Sequence, residues 1–360
     1  MKILFILTCI LLFAAACSKT VSVKTVEMKN TARWDSGLRG NNQAGLSGLY
    51  NGEVFVWGEQ GESFIMAFFS IDGQKSRELT FKKGKGPGEI QFPMVGKIIG
   101  DTIAIYDYWL RRISLFSLDG KTIDDIAIND PDLFNVSNFF IAQNAIYLHC
   151  SDKCLLASID IATGEIIKKI PYEKTDTDVH SVEIPILGGS MYYDENKKTI
   201  FIAYSNGPFH IDSFDLSLNK KETINPPLTK NYEAYRFKVI KSGKSVYMVS
   251  VGDNLSTSLE SWKGKLIIPI PVHTTYTENG TTGSEPDNGF YIIDPVSKKV
   301  TGAIYDDVFR KTAGLMYFII GVKDNTIICA VYPANPEEYE KSYGKDTFTG
   351  LALFTFEIVQ

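Results

Sequence analysis

Histidine is scarce in this chain. His149, His180, His210 and His273 are the only four, and none stands at close metal-ligand spacing with another. Excess positive charge is missing too. There are 37 Lys and Arg against 42 Asp and Glu, for a formal net charge of −5. Nucleic-acid binding calls for the opposite, a basic footprint. A Gly-x-Ser-x-Gly nucleophile elbow is absent. The Asp-x-Asp pairs Asp130/Asp132 and Asp176/Asp178 do not continue as calcium loops and read as solvated turns. Residues 82–93, KKGKGPGEIQFP, are glycine-rich but lack the Gly-x-x-x-x-Gly-Lys-Ser/Thr spacing, and no helical pattern follows them. No cofactor, metal site or catalytic residue is therefore expected, and the balance leans away from an enzyme.

Cysteine is also sparse, and the five present divide by position. Cys9 lies within the N-terminal apolar run. That run, residues 3–13, follows Lys2 and precedes Ala14, Ala15, Ala16 and Cys17. A basic start, a short apolar core and small residues form the layout of a secretory signal. A bilayer span needs about 20 apolar residues, more than this run offers. The segment resembles a bacterial lipobox, with Ala14 where leucine is usual. That implies cleavage before Cys17 and acylation of its thiol. Each buried CH₂ of an acyl chain contributes about 0.8 kcal/mol, so several chains anchor where one does not. Ser18 is not the aspartate of inner-membrane retention, and no acidic run follows Cys17. The expected location is the outer membrane, facing the periplasm, with surface exposure left open. An ordinary cleaved signal and an uncleaved anchor stand as alternatives. Cys150 and Cys154 flank a short loop, Ser151-Asp152-Lys153. They read either as a cross-hairpin disulfide in an oxidising compartment or as free thiols. Cys329 reads as a buried thiol inside an apolar run.

Aromatics and glycine are abundant, with 18 Tyr, 22 Phe and 29 Gly. That usage suits many strands joined by tight turns. A theme recurs along the chain: an apolar run, a turn, a second apolar run, a turn rich in Asp, Gly, Asn or Lys, and a more polar strand. First runs are EVFVW (53–57), TIAIY (102–106), AIYLHC (145–150), TIFIAY (199–204), KLIIPI (265–270) and TIICAVY (326–332). Each unit reads as an antiparallel sheet of three or four strands. Such a sheet cannot bury both faces alone, and packing six around an axis does so, which predicts an all-β, six-bladed propeller. An irregular sandwich, or two smaller β domains, is the competing arrangement. Residues 226–237 suggest a short helical turn. Residues 274–288 read as a long polar loop. Within 333–350, Asn335 is placed to cap a short helix.

The segment GKGPGE (84–89), with apolar Ile90 and Phe92 after it, resembles a signature of six-bladed, TolB-like or NHL-like propeller lipoproteins of Bacteroidota. The pattern at 107–120, DYWLRRISLFSLDG, fits the same group. The resemblance covers nearly the whole chain beyond the signal and implies fold and compartment, but carries no catalytic residues. The expected organisation is a signal over 1–16, a lipid-anchored tether over 17–30 and one propeller over 31–360, with the alternation at Val21, Val23 and Val26 leaving open that the tether ends in a first strand. Tyr108, Trp109, Arg111 and Arg112 sit together in a predicted turn. Exposed Trp, Tyr and Arg are typical interface anchors, so this turn is the candidate contact surface for a peptide, glycan or envelope protein. Tucking of the aromatics between blades is the alternative. The function expected is binding or scaffolding at the envelope. A propeller hydrolase or lyase with a metal in its channel, or an accessory subunit of an envelope transport complex, are the other readings.

Overall fold

Strand Glu53–Gln60, sequence EVFVWGEQ, shows why the chain forms small stacked sheets. Val54, Phe55, Val56 and Trp57 are all buried, although successive residues of a strand point to opposite faces. Both faces of the strand must therefore be covered. Its neighbour Ser63–Phe69 is buried in the same way, while the next strand, Lys75–Lys82, is mostly exposed. A short strand, Gly48–Tyr50, completes the sheet on the other side.

The same gradient recurs around the chain in this computed structural model. It describes residues 25–38, 45–150, 153–171, 190–204, 209–226, 236–242, 245–251, 258–270, 274–278, 281–285, 289–305, 315–333 and 352–359. Blade two is Pro93–Ile99, Thr102–Asp107, Arg112–Ser117 and Thr122–Ala127. Blade three is Val136–Ala142, Ala145–Cys150, Cys154–Asp160 and Ile166–Pro171. Blade four is Ser190–Asp194, Thr199–Ala203, Ile211–Phe214 and Lys220–Ile224. Blade five is Glu260–Trp262, Lys265–Ile270, Gly289–Asp294 and Lys299–Tyr305. The first strand of each blade touches the first strand of the next, and that of blade five reaches Leu315–Lys323 of blade six, which touches Gly48–Tyr50. The result is a closed six-bladed propeller around a central channel. Among the described residues, helix is limited to one 3-10 turn, Pro131–Leu133.

Alternation along the strands distributes the core among the blade interfaces. In Thr102–Asp107, Ile103 and Ile105 pack with Phe55, Trp57 and Phe81 of blade one. Ala104 and Tyr106, one residue out of phase, pack with Phe139, Ile146 and Leu148 of blade three. Tyr147 and Leu156 meet Ile200 and Ile202 between blades three and four. Phe201 and Ile211 meet Leu266 and Ile268 between four and five. Ile328, Ala330 and Leu353 meet Val54 and Val56 where blade six meets blade one.

Blade six is built from both ends of the described chain. Leu315–Lys323, Thr326–Pro333 and Ala352–Val359 supply three strands, and the fourth is Thr25–Asp35. That strand runs antiparallel to Ala352–Val359, from Glu27 opposite Val359 to Asp35 opposite Ala352, with a bulge between Asn30 and Ala32. Its first residues, 25–27, also run parallel to residues 303–305 of blade five. Residues 25–30, expected in the tether, therefore belong to the sheet. Their alternating composition is equally that of an edge strand, and only the partner at the far end of the sequence decides between the two.

Two further expectations change. Residues 274–288, read as a polar loop, contain a hairpin, Thr274–Glu278 paired with Thr281–Glu285. Threonine favours the extended backbone even without an apolar face. A second hairpin, Arg236–Ser242 with Ser245–Val251, forms its own two-stranded sheet between blades four and five. It takes up the end of the segment expected to hold a helical turn, whose residues 227–235 lie outside the described residues, as does Asn335.

A chain that begins at Ser36 lacks the closing strand and leaves Ala352–Val359 with an unpaired edge. Its thermal unfolding, followed by circular dichroism, is expected to shift well below that of the full chain and lose cooperativity. A synthetic peptide of residues 25–35 should restore much of the loss. An unchanged melting curve would show that the ring holds without this strand.

Candidate functional site

The glycine-rich connection between blades one and two is held by backbone hydrogen bonding on every side. Gly84 N donates to Ile90 O at 3.0 Å, Ile90 N to Lys82 O at 3.0 Å, and Glu89 N to Gly86 O at 3.1 Å. The Glu89 carboxylate turns inward and accepts from Gly86 N at 2.8 Å. Lys82 is hydrogen-bonded to the same carboxylate, and these contacts hold its pKa below the ordinary value. A Cβ on Gly84 would lie 2.0 Å from that carboxylate, so a side chain there would displace Glu89 from its bonds to Gly86 and Lys82. Gly88 has φ +68° and donates to Asp125 Oδ2 at 2.9 Å.

Blade two grips this connection with the two charged residues that bracket its turn. Buried Asp107 accepts from Gln91 N at 2.5 Å, Phe92 N at 3.1 Å and Leu110 N at 2.9 Å. Arg112 donates to Gly86 O at 2.7 Å and Glu89 O at 2.5 Å, and pairs with Asp125 at 3.1 Å. Arg111, at φ 50°, donates to Asp130 O at 2.6 Å and lies over the Phe134 ring at 5.9 Å. Both arginines of the candidate contact surface are therefore engaged with the protein itself. Tyr108 packs against Phe134, with ring centroids 4.4 Å apart.

Trp109 is placed differently. It is 59% exposed and stacks on Phe92, with centroids 4.9 Å apart and ring planes at 18°. Asp107, through Leu110 N, fixes the turn that carries it. The indole forms one wall of a cleft of about 250 Å³, with Leu46, Phe64 and Phe92 beneath and Glu59 and Lys83 at the rim. Lys83 pairs with Glu59 at 2.9 Å and sits 4.9 Å over the Phe64 ring. The turn read from the sequence thus resolves into one exposed anchor, one packed tyrosine and two internal clamps.

A larger concavity, about 570 Å³, opens at the opposite rim, where the first and second strands of each blade turn. Its charged lining residues are Lys97 of blade two, Glu195 and Lys198 of blade four, and Glu260 of blade five. Burial pushes the Glu260 carboxyl up to about 7, opposed by the charge of Lys97. Burial likewise pushes Lys97 down, opposed by Glu260. Both residues are half-buried in the wall of this concavity. Sequence reading passed over this pair. The available signal was Lys97 itself, one charge in the apolar strand Pro93–Ile99. Among the described residues no three His, Cys, Asp or Glu side chains cluster as metal ligands. Asp107 is committed to the connection. Asp130 and Asp132 both accept from Lys169 at 2.9 Å, and Asp130 caps the 3-10 turn.

The cysteines of blade three are buried side by side as thiols, with no disulfide between them. Hydrogen bonding to Cys150 lowers the Cys154 pKa, and Cys154 Sγ lies 3.1 Å from Leu156 O. Cys17 lies outside the described residues. His149, next to Cys150, is fully buried. Its Nδ1 lies 2.8 Å from Ser137 Oγ, and its Nε2 has no hydrogen-bond partner among the described residues.

Burial lowers the His149 pKa from 6.5 to about 4. A lowered folded-state value means that stability is fully present above pH 6.5 and is lost as pH falls toward and below 4. Near pH 4 the loss amounts to about 3 kcal/mol, from 1.36 kcal/mol per pH unit. Urea unfolding at pH 7 and pH 4 should show wild type losing about that much more than His149→Gln. Equal losses would mean that His149 is not the acid-sensitive group.

No family model matches the sequence, and no curated protein matches it. Solved structures do resemble the fold. One is a member of the DUF4221 family from Bacteroides vulgatus, at 14% identity and a TM-score of 0.60, over 94% of this chain and 99% of that one. Another is a Bacteroides fragilis protein inferred to be exported, at 12% identity and a TM-score of 0.53, over 96% of this chain and 98% of that one. At these identities the likeness extends to the propeller fold.

Proposed function

We propose that the protein is a non-catalytic binding propeller of the cell envelope, anchored by acylated Cys17 to the outer membrane and facing the periplasm. The observation that carries the binding reading is Trp109, exposed yet held rigid by Phe92 and by the Asp107-capped turn. A large aromatic fixed in place before binding loses little conformational freedom when a partner covers it. Tryptophan is also among the commonest energetic anchors of interfaces. A partner fits if it presents a flat apolar face to the indole and polar groups to Glu59 and Lys83, as a sugar ring or peptide segment does. The B. fragilis neighbour, inferred to be exported, is compatible with an envelope location. Cys17 precedes the closing strand by eight residues, a span of at most roughly 29 Å. Anchoring there would hold the propeller close to the membrane.

Trp109→Ala should leave folding stability within about 1 kcal/mol of wild type, as expected for an exposed position. It should abolish binding to glycan and peptide arrays that retain the wild-type protein. Undiminished array binding by the variant would remove Trp109 from the site.

Cys17→Ser should abolish incorporation of labelled fatty acid and release the protein from membranes. Persistent membrane association of the unlabelled variant would overturn the anchor.

A further inference from the structure

The channel concavity shares no lining residue with the Trp109 cleft. Lys97 and Glu260 come from blades two and five, which face one another across a six-membered ring. Each feels the other's charge. Among the described residues, neither head group has an ion-pair partner within 4.0 Å. Two residues of opposite charge thus line one cavity of about 570 Å³, within the range of small-ligand pockets. Glu195 and Lys198, both exposed at the rim, keep the charged lining balanced at two of each sign.

The walls between these charges are fixed. Asn138 donates to Met191 O at 2.9 Å, tying blade three to blade four. Phe140 stacks between Tyr147 at 4.7 Å and Tyr193 at 4.1 Å. Tyr192 hydrogen-bonds Ser261, the neighbour of Glu260. The cavity is therefore shaped before any ligand arrives.

We propose that this channel mouth binds a short peptide with free ends, its carboxylate at Lys97 and its ammonium at Glu260. Other ligand classes fit the charges less well. A phosphate or other simple anion at Lys97 would face the Glu260 carboxylate. A divalent cation at Glu260 would find one carboxylate where several oxygen ligands are needed, and would face Lys97. An uncharged ligand that covered the two half-buried charges would leave both without a partner, which is costly. A zwitterion supplies one charge to each and adds no net charge to a balanced lining. Burial weakens both protein charges in the open channel, and a ligand of opposite sign at each end restores them.

Isothermal titration calorimetry of trialanine into the purified protein tests this. Saturable binding is expected, weakened roughly tenfold or more when the peptide is N-acetylated or C-amidated. Lys97→Met and Glu260→Gln should weaken it similarly, while Trp109→Ala should leave it intact. Absence of saturable binding overturns the proposal. So does equal affinity for the doubly capped peptide, or loss of binding in Trp109→Ala. If either channel variant fails to fold, the comparison of free and capped peptides on the wild-type protein decides alone.

Discussion

The molecule depends on closing its ring. Each sheet is buried on both faces of its middle strands, so no blade is stable without two neighbours. A linear row of such sheets would leave two apolar faces bare. The antiparallel ladder between Thr25–Asp35 and Ala352–Val359 removes that problem by joining the chain's first described strand to its last. The parallel contact of residues 25–27 with residues 303–305 ties blades five and six along the outer edge as well. Both joins are main-chain hydrogen bonding, which is why the closing strand needs extended backbone more than any particular apolar pattern.

Within the ring, the junction of blades one and two is reinforced by the connection at residues 84–92. Its glycines permit a bend that brings backbone amides onto Asp107 and Asp125, and carbonyls onto Arg112. The glycine-rich connection thus satisfies buried backbone groups where one sheet hands over to the next. The same device produces an exposed feature. Asp107 shapes the turn that carries Trp109, and Phe92, at the end of the connection, supplies the ring on which Trp109 stacks.

The two concavities open at opposite ends of the blades and differ in character. The Trp109 cleft is small and aromatic, with its ion pair already made between Lys83 and Glu59. The channel mouth is larger and holds two charges that face each other without meeting.

Much of the fold was legible in the sequence because the middle strands of each blade are continuous apolar runs bounded by turn residues. Six such units with polar fourth strands imply stacking around an axis. The first strands were not legible. Gly48–Tyr50 and Glu260–Trp262 have three residues each, and Pro93–Ile99 mixes buried with channel-facing positions. The turn at residues 107–112 was legible as a cluster of aromatic and basic residues, but not in its division of labour. Local sequence determined that a turn forms there. Only the tertiary structure decided that Arg111 and Arg112 serve carbonyls and Trp109 faces outward, because the groups that claim the arginines lie on other strands and connections. The Lys97–Glu260 pair belongs wholly to the tertiary structure. No local pattern links two residues in blades two and five, and they face one another because a ring of six brings opposite blades to the same channel.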